Sequence, residues 1–370
     1  MKAGMTAMAL VSLVVTTGVA MAQGPAGPAP GGAPASAAAP FEWKCFWPWG
    51  MPRGTAEDAV KFVDAARALG FNAMVVSGGR PDFRGKLFDY ARQQGVKVYL
   101  TLNAIYGEWG FQKAEGVAMP SVDCLQSYDN LKDLNTPRDT DDVSYPGPWL
   151  CPDRPEVRKY AADLAASLMK DKPDGIAVDF VGYKNQSGCR CEYSRARRAE
   201  FVKAHPELDA KAAECRFSLE SLAALYEEVR KAVVAMDKEA KLAAHVYPPF
   251  TPEPLYGNRL PVEYPAQTVA WFFAPHWPME KVVSRCRAVK ADEKQSHDYV
   301  TGTGFIGLNM DEVNAKSAER LRAEIRAIRS AGLKAIMVAG TYGDFLKEAP
   351  AKVFAEELGG KPAVAGTGAL

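Results

Sequence analysis

Residues 174–191, DGIAVDFVGYKNQSGCRC, set the reading of the whole chain. Gly175 to Val181 is a short apolar run, rich in β-branched and aromatic side chains and flanked by the turn residues Asp174 and Gly182, which predicts a strand buried on both faces. Alternation along that strand sends Ile176, Val178 and Phe180 to one face and Ala177, Asp179 and Val181 to the other. Asp179 therefore stands on the face with the smaller residues, at the C-terminal end of the strand. Burying a carboxylate there costs several kcal/mol unless it is bonded. It is a site carboxylate, the cap of a loop, or the partner of an interior Lys or Arg. Asp174, at the strand's other end, reads as a turn residue.

Outward from this strand, short β-rich runs alternate with amphipathic helical stretches. Strands are predicted at Trp43–Trp47, Asn72–Ser77, Val96–Asn103, Gly175–Val181, Lys241–Tyr247, Thr268–Ala274, Tyr299–Ile306 and Leu333–Ala339. Thr55-Ala-Glu-Asp58 is a capping-box pattern with Gly70 at the helix end, and Asp153 with Pro155 opens a helix running to Met169. Leu222, Leu225, Val229 and Val233 give the helix from Phe217 to Met236 an apolar stripe. This order implies parallel strands with right-handed crossovers, most simply closed as a single (β/α)8 TIM barrel. An open doubly wound sheet competes, but no GxGxxG turn follows the first strand, and no cofactor is expected.

The ends of the chain are different in kind. Residues 1–22 carry Lys2, an apolar run from Met8 to Val19 and Ala20-Met21-Ala22, the pattern of a signal peptide and of a secreted or periplasmic protein. Residues 23–40 form a Pro/Gly/Ala-rich linker, 41–358 the barrel and 359–370 a flexible tail. Without Lys2, the 45 basic residues become 44 against 44 acidic ones, which argues against nucleic acid as a partner. No other run is long and apolar enough for a membrane span. All 7 cysteines follow the leader, and the odd number leaves at least one unpaired. Cys189 and Cys191 flank a single residue, so a disulfide to a distant partner such as Cys215, a zinc site of Cys189, Cys191 and Cys215, and buried thiols are all open readings.

Barrel enzymes build their sites at the C-terminal ends of the strands. There the strand phase turns Asn103 inward from the third strand and His245 and Tyr247 inward from the fifth, toward Asp179. LCPDRPEVRKYAADL (150–164) followed by DGIAVDFVGY (174–183) resembles the bacterial family-10-like glycosyl-hydrolase barrels, which implies hydrolysis of a glycosidic bond, a reaction that uses two carboxylates. Asp179 supplies one, and the loop acids Glu108 and Glu253 are the candidates for the other, ahead of Asp344; Glu312 reads as a helix cap. Trp49, Trp109, Tyr183, Tyr247, Phe273 and Trp277, with Lys184 and Asn185, offer rings and polar groups at strand ends, a combination suited to a sugar's apolar face and hydroxyl rim. A metal-dependent hydrolase would need His-x-His on the first strand, where Trp43-Lys44-Cys45 stands, so no catalytic metal is expected. A barrel that binds glycans without cleaving them is the remaining alternative.

The family-10-like pattern is a Cys-Pro-x-x-Pro-Glu-Val-Arg helix start, matched within 150–164, and an Asp-Gly-Ile-x-x-Asp-Tyr/Phe strand, matched within 174–183. The resemblance implies a TIM barrel, a carbohydrate substrate and a catalytic or sugar-contacting role for Asp179. That group's Arg after the aromatic is Gly182 here. Its Cys-x-Cys-x-x-Cys run corresponds to Cys189, Cys191 and Ser194. The chitinase-type Asp-Gly-x-Asp-x-Asp-x-Glu pattern does not fit, because Ala177 and Val181 occupy its acidic positions.

Overall fold

The computed structural model describes residues 39–107, 110–128, 147–184, 188–247, 257–272, 275–308 and 315–360. Eight parallel strands close into a barrel in sequence order: β1 (Trp43–Trp49), β2 (Ala73–Val76), β3 (Lys97–Leu102), β4 (Gly175–Val178), β5 (Lys241–Val246), β6 (Tyr264–Ala270), β7 (Thr303–Gly307) and β8 (Ala335–Thr341). Nine helices are described: α1 (Ala56–Ala68), α2 (Pro81–Gln93), α3 (Pro155–Met169), α4 (Glu192–Ala204), α5 (Ala210–Met236), α6 (Met279–Asp292), α7 (Ala318–Ser330), α8 (Tyr342–Leu346) and α9 (Glu348–Leu358). None is long and apolar enough to cross a membrane. The expected TIM barrel is present. Residues 1–38, which hold the expected leader and nearly all of the expected linker, fall outside the described residues, as does the expected tail beyond Gly360.

Sequence chemistry accounts for the element ends. The Thr55 hydroxyl accepts from Asp58 N while the Asp58 carboxylate accepts from Thr55 N, so the capping box forms as read. α2 and α3 both begin with proline, which brings the helical φ and no unsatisfied N–H. The two faces of β1 separate as the pleat demands. Phe46 packs outward on Phe62 and Phe345 of the helical layer and on Phe71 of the α1–β2 connection, while Trp43 turns inward, stacked on Tyr264 with ring centroids 4.2 Å apart.

Gly175 begins β4 where a Cβ would fall 1.9 Å from the Lys241 carbonyl oxygen, so only glycine lets β4 and β5 come together at that level. The barrel closes along β1 and β8, paired from Trp43↔Ala335 to Trp49↔Thr341. Lys44 Nζ extends that seam by donating to the Leu358 carbonyl at 2.7 Å.

β6 departs from the expected limits. It starts at Tyr264 and ends at Ala270, four residues earlier than the aromatic run Thr268–Ala274 suggested. Pro265, which has no N–H to give, lies inside the strand. In the barrel it pairs with Ala244 of β5, and the ladder to β7 begins only at Ala266, where the missing donor is not needed. β7 is likewise shorter than read, because Tyr299 to Gly302 lie before the strand.

No disulfide joins the seven cysteines. Cys151, not Cys215, stands beside Cys189 and Cys191. Cys215 lies on α5, away from that cluster.

Candidate active site at the barrel mouth

Asp179 directly follows β4, and its N–H still donates to the Leu102 carbonyl of β3 at 2.9 Å, which carries the ladder one residue further. The next residue ends it. Phe180 has φ +51°, a left-handed conformation that costs a bulky residue about 1–2 kcal/mol. The turn bends the Phe180 N–H back onto Asp179 Oδ1 at 3.0 Å. It also places the Phe180 ring between Tyr106, at 4.7 Å, and Tyr247, stacked at 5.2 Å.

His245 of β5 faces Asp179, with Nδ1 3.7 Å from Oδ1. Both side chains are sequestered, Asp179 at 7% exposure and His245 at 1%. The imidazole lies between the rings of Phe305 and Tyr247, each centroid 3.6 Å away, with Trp47 edge-on at 6.0 Å. On its far side Nε2 meets the Thr268 hydroxyl at 3.0 Å. That hydroxyl directs its own proton to the Val246 carbonyl at 3.3 Å, so its oxygen accepts from Nε2–H. Nδ1 then presents its lone pair to Asp179.

These contacts fix the electrostatics. Burial pushes the Asp179 carboxyl up to about 7, an effect the Phe180 N–H only partly opposes. Burial also holds His245 well below its ordinary value, so the ring is neutral. Below about pH 7 the proton of the pair accordingly sits on the carboxyl. Tyr226 of α5 is buried nearby, and burial first and then the Asp179 charge raise its hydroxyl. A carboxyl kept protonated near neutrality, in a low-dielectric setting, is equipped to donate a proton to a leaving oxygen.

The other expected site residues are distributed as follows. Asn103 follows β3, half-buried, and its Oδ1 accepts from Tyr106 N at 3.2 Å, which commits the amide to its own turn. Trp49 ends β1, half-buried, with its ring 5.6 Å from Phe272. Lys184 extends Nζ to the Gly147 carbonyl at 3.4 Å. Tyr183 is fully buried, its hydroxyl on Asp153 and the Ser218 carbonyl of α5, so it anchors a loop to the helical layer and has no open ring face. Asp344, in the first turn of α8, donates its N–H to the hydroxyl of the N-cap Thr341, accepts that hydroxyl's proton on its carboxylate and pairs with Lys347 at 2.7 Å, a structural engagement. Trp277 is buried against Trp271 and Arg285. Glu108, Trp109, Asn185, Glu253, Phe273 and Glu312 lie outside the described residues.

Sequence reasoning missed Thr268 and Phe305. A strand starting at Thr268 sets that residue at the wrong end of the barrel, whereas it lies within β6, and Phe305 stands on the inward face of β7. Continuing β7's alternation through Thr303, Phe305 and Gly307 would have found the ring that stacks on His245.

A hollow of about 680 Å³ at the opposite, N-terminal end of the barrel is lined by Trp43, Tyr99 and Tyr264 among others. Its Lys97 and Asp174 are paired with each other at 2.8 Å. The unusual carboxyl is at the other end.

No family profile and no curated protein matches the sequence. Solved structures do. The glycoside hydrolase domain of PgaB (BpsB) from Bordetella bronchiseptica matches with a TM-score of 0.56 at 14% identity, over 82% of this chain and 93% of that domain. The catalytic domain of a β-amylase from Paenibacillus polymyxa gives 0.52 at 10% identity, over 85% and 97%. A β-galactosidase from Bacillus circulans sp. alkalophilus gives 0.51 at 14%, over 81% of this chain and 50% of its own. These neighbours are glycoside hydrolase barrels. At such identities the likeness shows a shared fold, and chemistry must be argued from the site.

Proposed function

We propose that this protein is an exported glycoside hydrolase that cleaves an oligo- or polysaccharide at the C-terminal mouth of its barrel, with Asp179 as the proton donor. The observation that carries the reading is the placement of Asp179, a carboxyl sequestered at the C-terminal end of β4 and 3.7 Å from the buried His245 ring, where burial pushes it up to about 7. Hydrolysis of a glycosidic bond needs one protonated carboxylic acid and a second, ionised carboxylate across the bond. Glu108, after β3, and Glu253, after β5, are the proposed second carboxylates. Trp49, with Trp109, would supply ring faces to the sugar, and Lys184 and Asn185 polar contacts at its rim, while Tyr247, buried between Phe180 and His245, shapes the wall around Asp179. Export rests on the leader-like first 22 residues.

The decisive experiment is Asp179→Asn assayed for release of reducing ends across a panel of oligosaccharides. The amide keeps shape and the Phe180 hydrogen bond but holds no transferable acid proton. Turnover is expected to fall by at least about 10²-fold. A wild-type chain that binds glycans but never releases reducing ends is a binding barrel. An Asn variant of unchanged rate removes Asp179 from the chemistry.

A further inference from the structure

Cys151, Cys189, Cys191 and Ser194 converge behind the mouth, in a cluster the hydrolase reading does not use. Cys151 closes the connection from β3 to α3. Cys191 is the N-cap of α4, and Ser194 stands in that helix's first turn. The three sulfurs all lie within 4.8 Å of one another, and the Cys151 and Cys191 sulfurs are 4.0 Å apart. Ser194 Oγ, fully buried, is 3.2 Å from both. We propose that these four side chains form a closed tetrahedral site for a thiophilic dication of the zinc class, three thiolates and one hydroxyl, which staples the β3–α3 connection to the start of α4.

The geometry is that of a site needing a small adjustment. Zinc–sulfur bonds of about 2.3 Å set ligand sulfurs about 3.8 Å apart in a tetrahedron, so the sulfurs need to tighten by no more than about 1 Å, while Ser194 Oγ, 3.2 Å from two of them, draws back to about 3.6 Å. The surroundings are suited to thiolates. Cys189 Sγ accepts backbone N–H groups from Ser127 at 3.4 Å and Cys191 at 3.3 Å, the outer-shell bonds that orient and stabilise a metal-bound sulfur. Ser127 is itself fixed there, because its carbonyl accepts from Arg190 N at 2.7 Å. Cys191 faces the positive end of a 13-residue helix and makes no capping bond of its own.

Charge balance points the same way. Binding displaces three thiol protons to solvent, so a dication with three thiolates and a neutral hydroxyl carries a net charge of about −1. Arg154 lies next to it. Its guanidinium hydrogen-bonds Cys191 and sets a positive charge against the cluster. The staple would hold the segment whose Trp149 packs on Tyr106 at 4.9 Å, and through Tyr106 the wall around Phe180.

The test is total-metal analysis of the full chain, purified with reductant and without chelator, before and after addition of zinc. About one zinc per chain is expected, with Cys189→Ser falling below about a fifth of that and Cys215→Ser, outside the cluster, unchanged. Cobalt exchanged into the wild-type chain should give thiolate-to-cobalt charge-transfer absorption that Cys189→Ser lacks. Ser194→Cys should retain the metal and release it to a chelator more slowly, which keeps the proposal testable if the Cys189 variant fails to fold. Two results overturn it: a folded wild-type chain holding less than about a tenth of a zinc after zinc addition, or an intact mass and peptide map showing a Cys151–Cys191 disulfide with no metal.

Discussion

Asp179→Asn should change stability in a way that depends on pH, quite apart from any substrate. The folded chain holds the Asp179 carboxyl near 7, against an ordinary value of 3.8 in the unfolded chain. A group raised in the folded state contributes its full stability below the unfolded value, and that contribution is lost as pH rises through the folded one. At 1.36 kcal/mol for each tenfold in proton affinity, ionising Asp179 costs the wild-type fold about 4 kcal/mol above pH 8 and less than about 1 kcal/mol at pH 4.

Asparagine does not ionise, and its Oδ1 can keep the bond from Phe180 N. The variant should therefore match the wild type near pH 4 and exceed it by about 4 kcal/mol near pH 8, a rise of roughly 6 °C in Tm for a barrel of this size. His245 titrates in both chains and largely cancels in the difference. Urea unfolding of the two proteins across pH 4 to 9 measures it. A stability difference that stays flat with pH, or an Asn variant weaker than wild type at pH 8, refutes the burial argument and the acid role built on it.

Other outcomes follow from neighbouring contacts. Thr268→Val leaves His245 Nε2–H buried without an acceptor and should cost about 1–3 kcal/mol in urea unfolding; an unchanged midpoint would mean that Nε2 is not the protonated nitrogen. Gly307→Ala sets a Cβ 2.1 Å from the Phe272 ring and should lower stability by about 1–3 kcal/mol, visible in thermal melts, unless the ring moves freely. Gly175→Ala meets the backbone oxygen of Lys241 instead of a movable side chain, so its loss should exceed that of Gly307→Ala in the same melts. Of Glu108→Gln and Glu253→Gln, the one that removes the second carboxylate should lower turnover by at least about 10²-fold, and two variants of normal rate would place that group elsewhere.

The order of strands, the barrel and the inward direction of Asp179 and His245 were legible because alternation is a local property that a regular strand preserves. It stops being legible where the backbone stops being regular. Phe180 at φ +51° resets the phase, so nothing in the sequence indicates that Tyr183, three residues on, turns into the helical layer. β6 begins at Tyr264, four residues before the expected Thr268, and runs through Pro265, whose missing donor is tolerated because the ladder to β7 starts only at Ala266, a fact that depends on the neighbouring strand. The cysteine cluster lay beyond reach for another reason. Cys151 and Cys191 are 40 residues apart, and only the closed barrel determines that their loops meet while Cys215 is carried elsewhere on α5.

The seam between β1 and β8 bears on how this chain reaches its fold. The strand made first must find the strand made last, so every order of assembly leaves β1 with an unsatisfied edge until almost all of the chain has been synthesised. Contacts of such long sequence separation form slowly, and an incomplete barrel exposes the paired edges that lead to aggregation. The Lys44 ammonium that reaches the last carbonyl of α9 fastens that late closure, so the final helix acts as a latch on the first strand. Loss of α9 should therefore show itself first as poor yield of folded chain and misassembly during folding, before any change at the distant mouth.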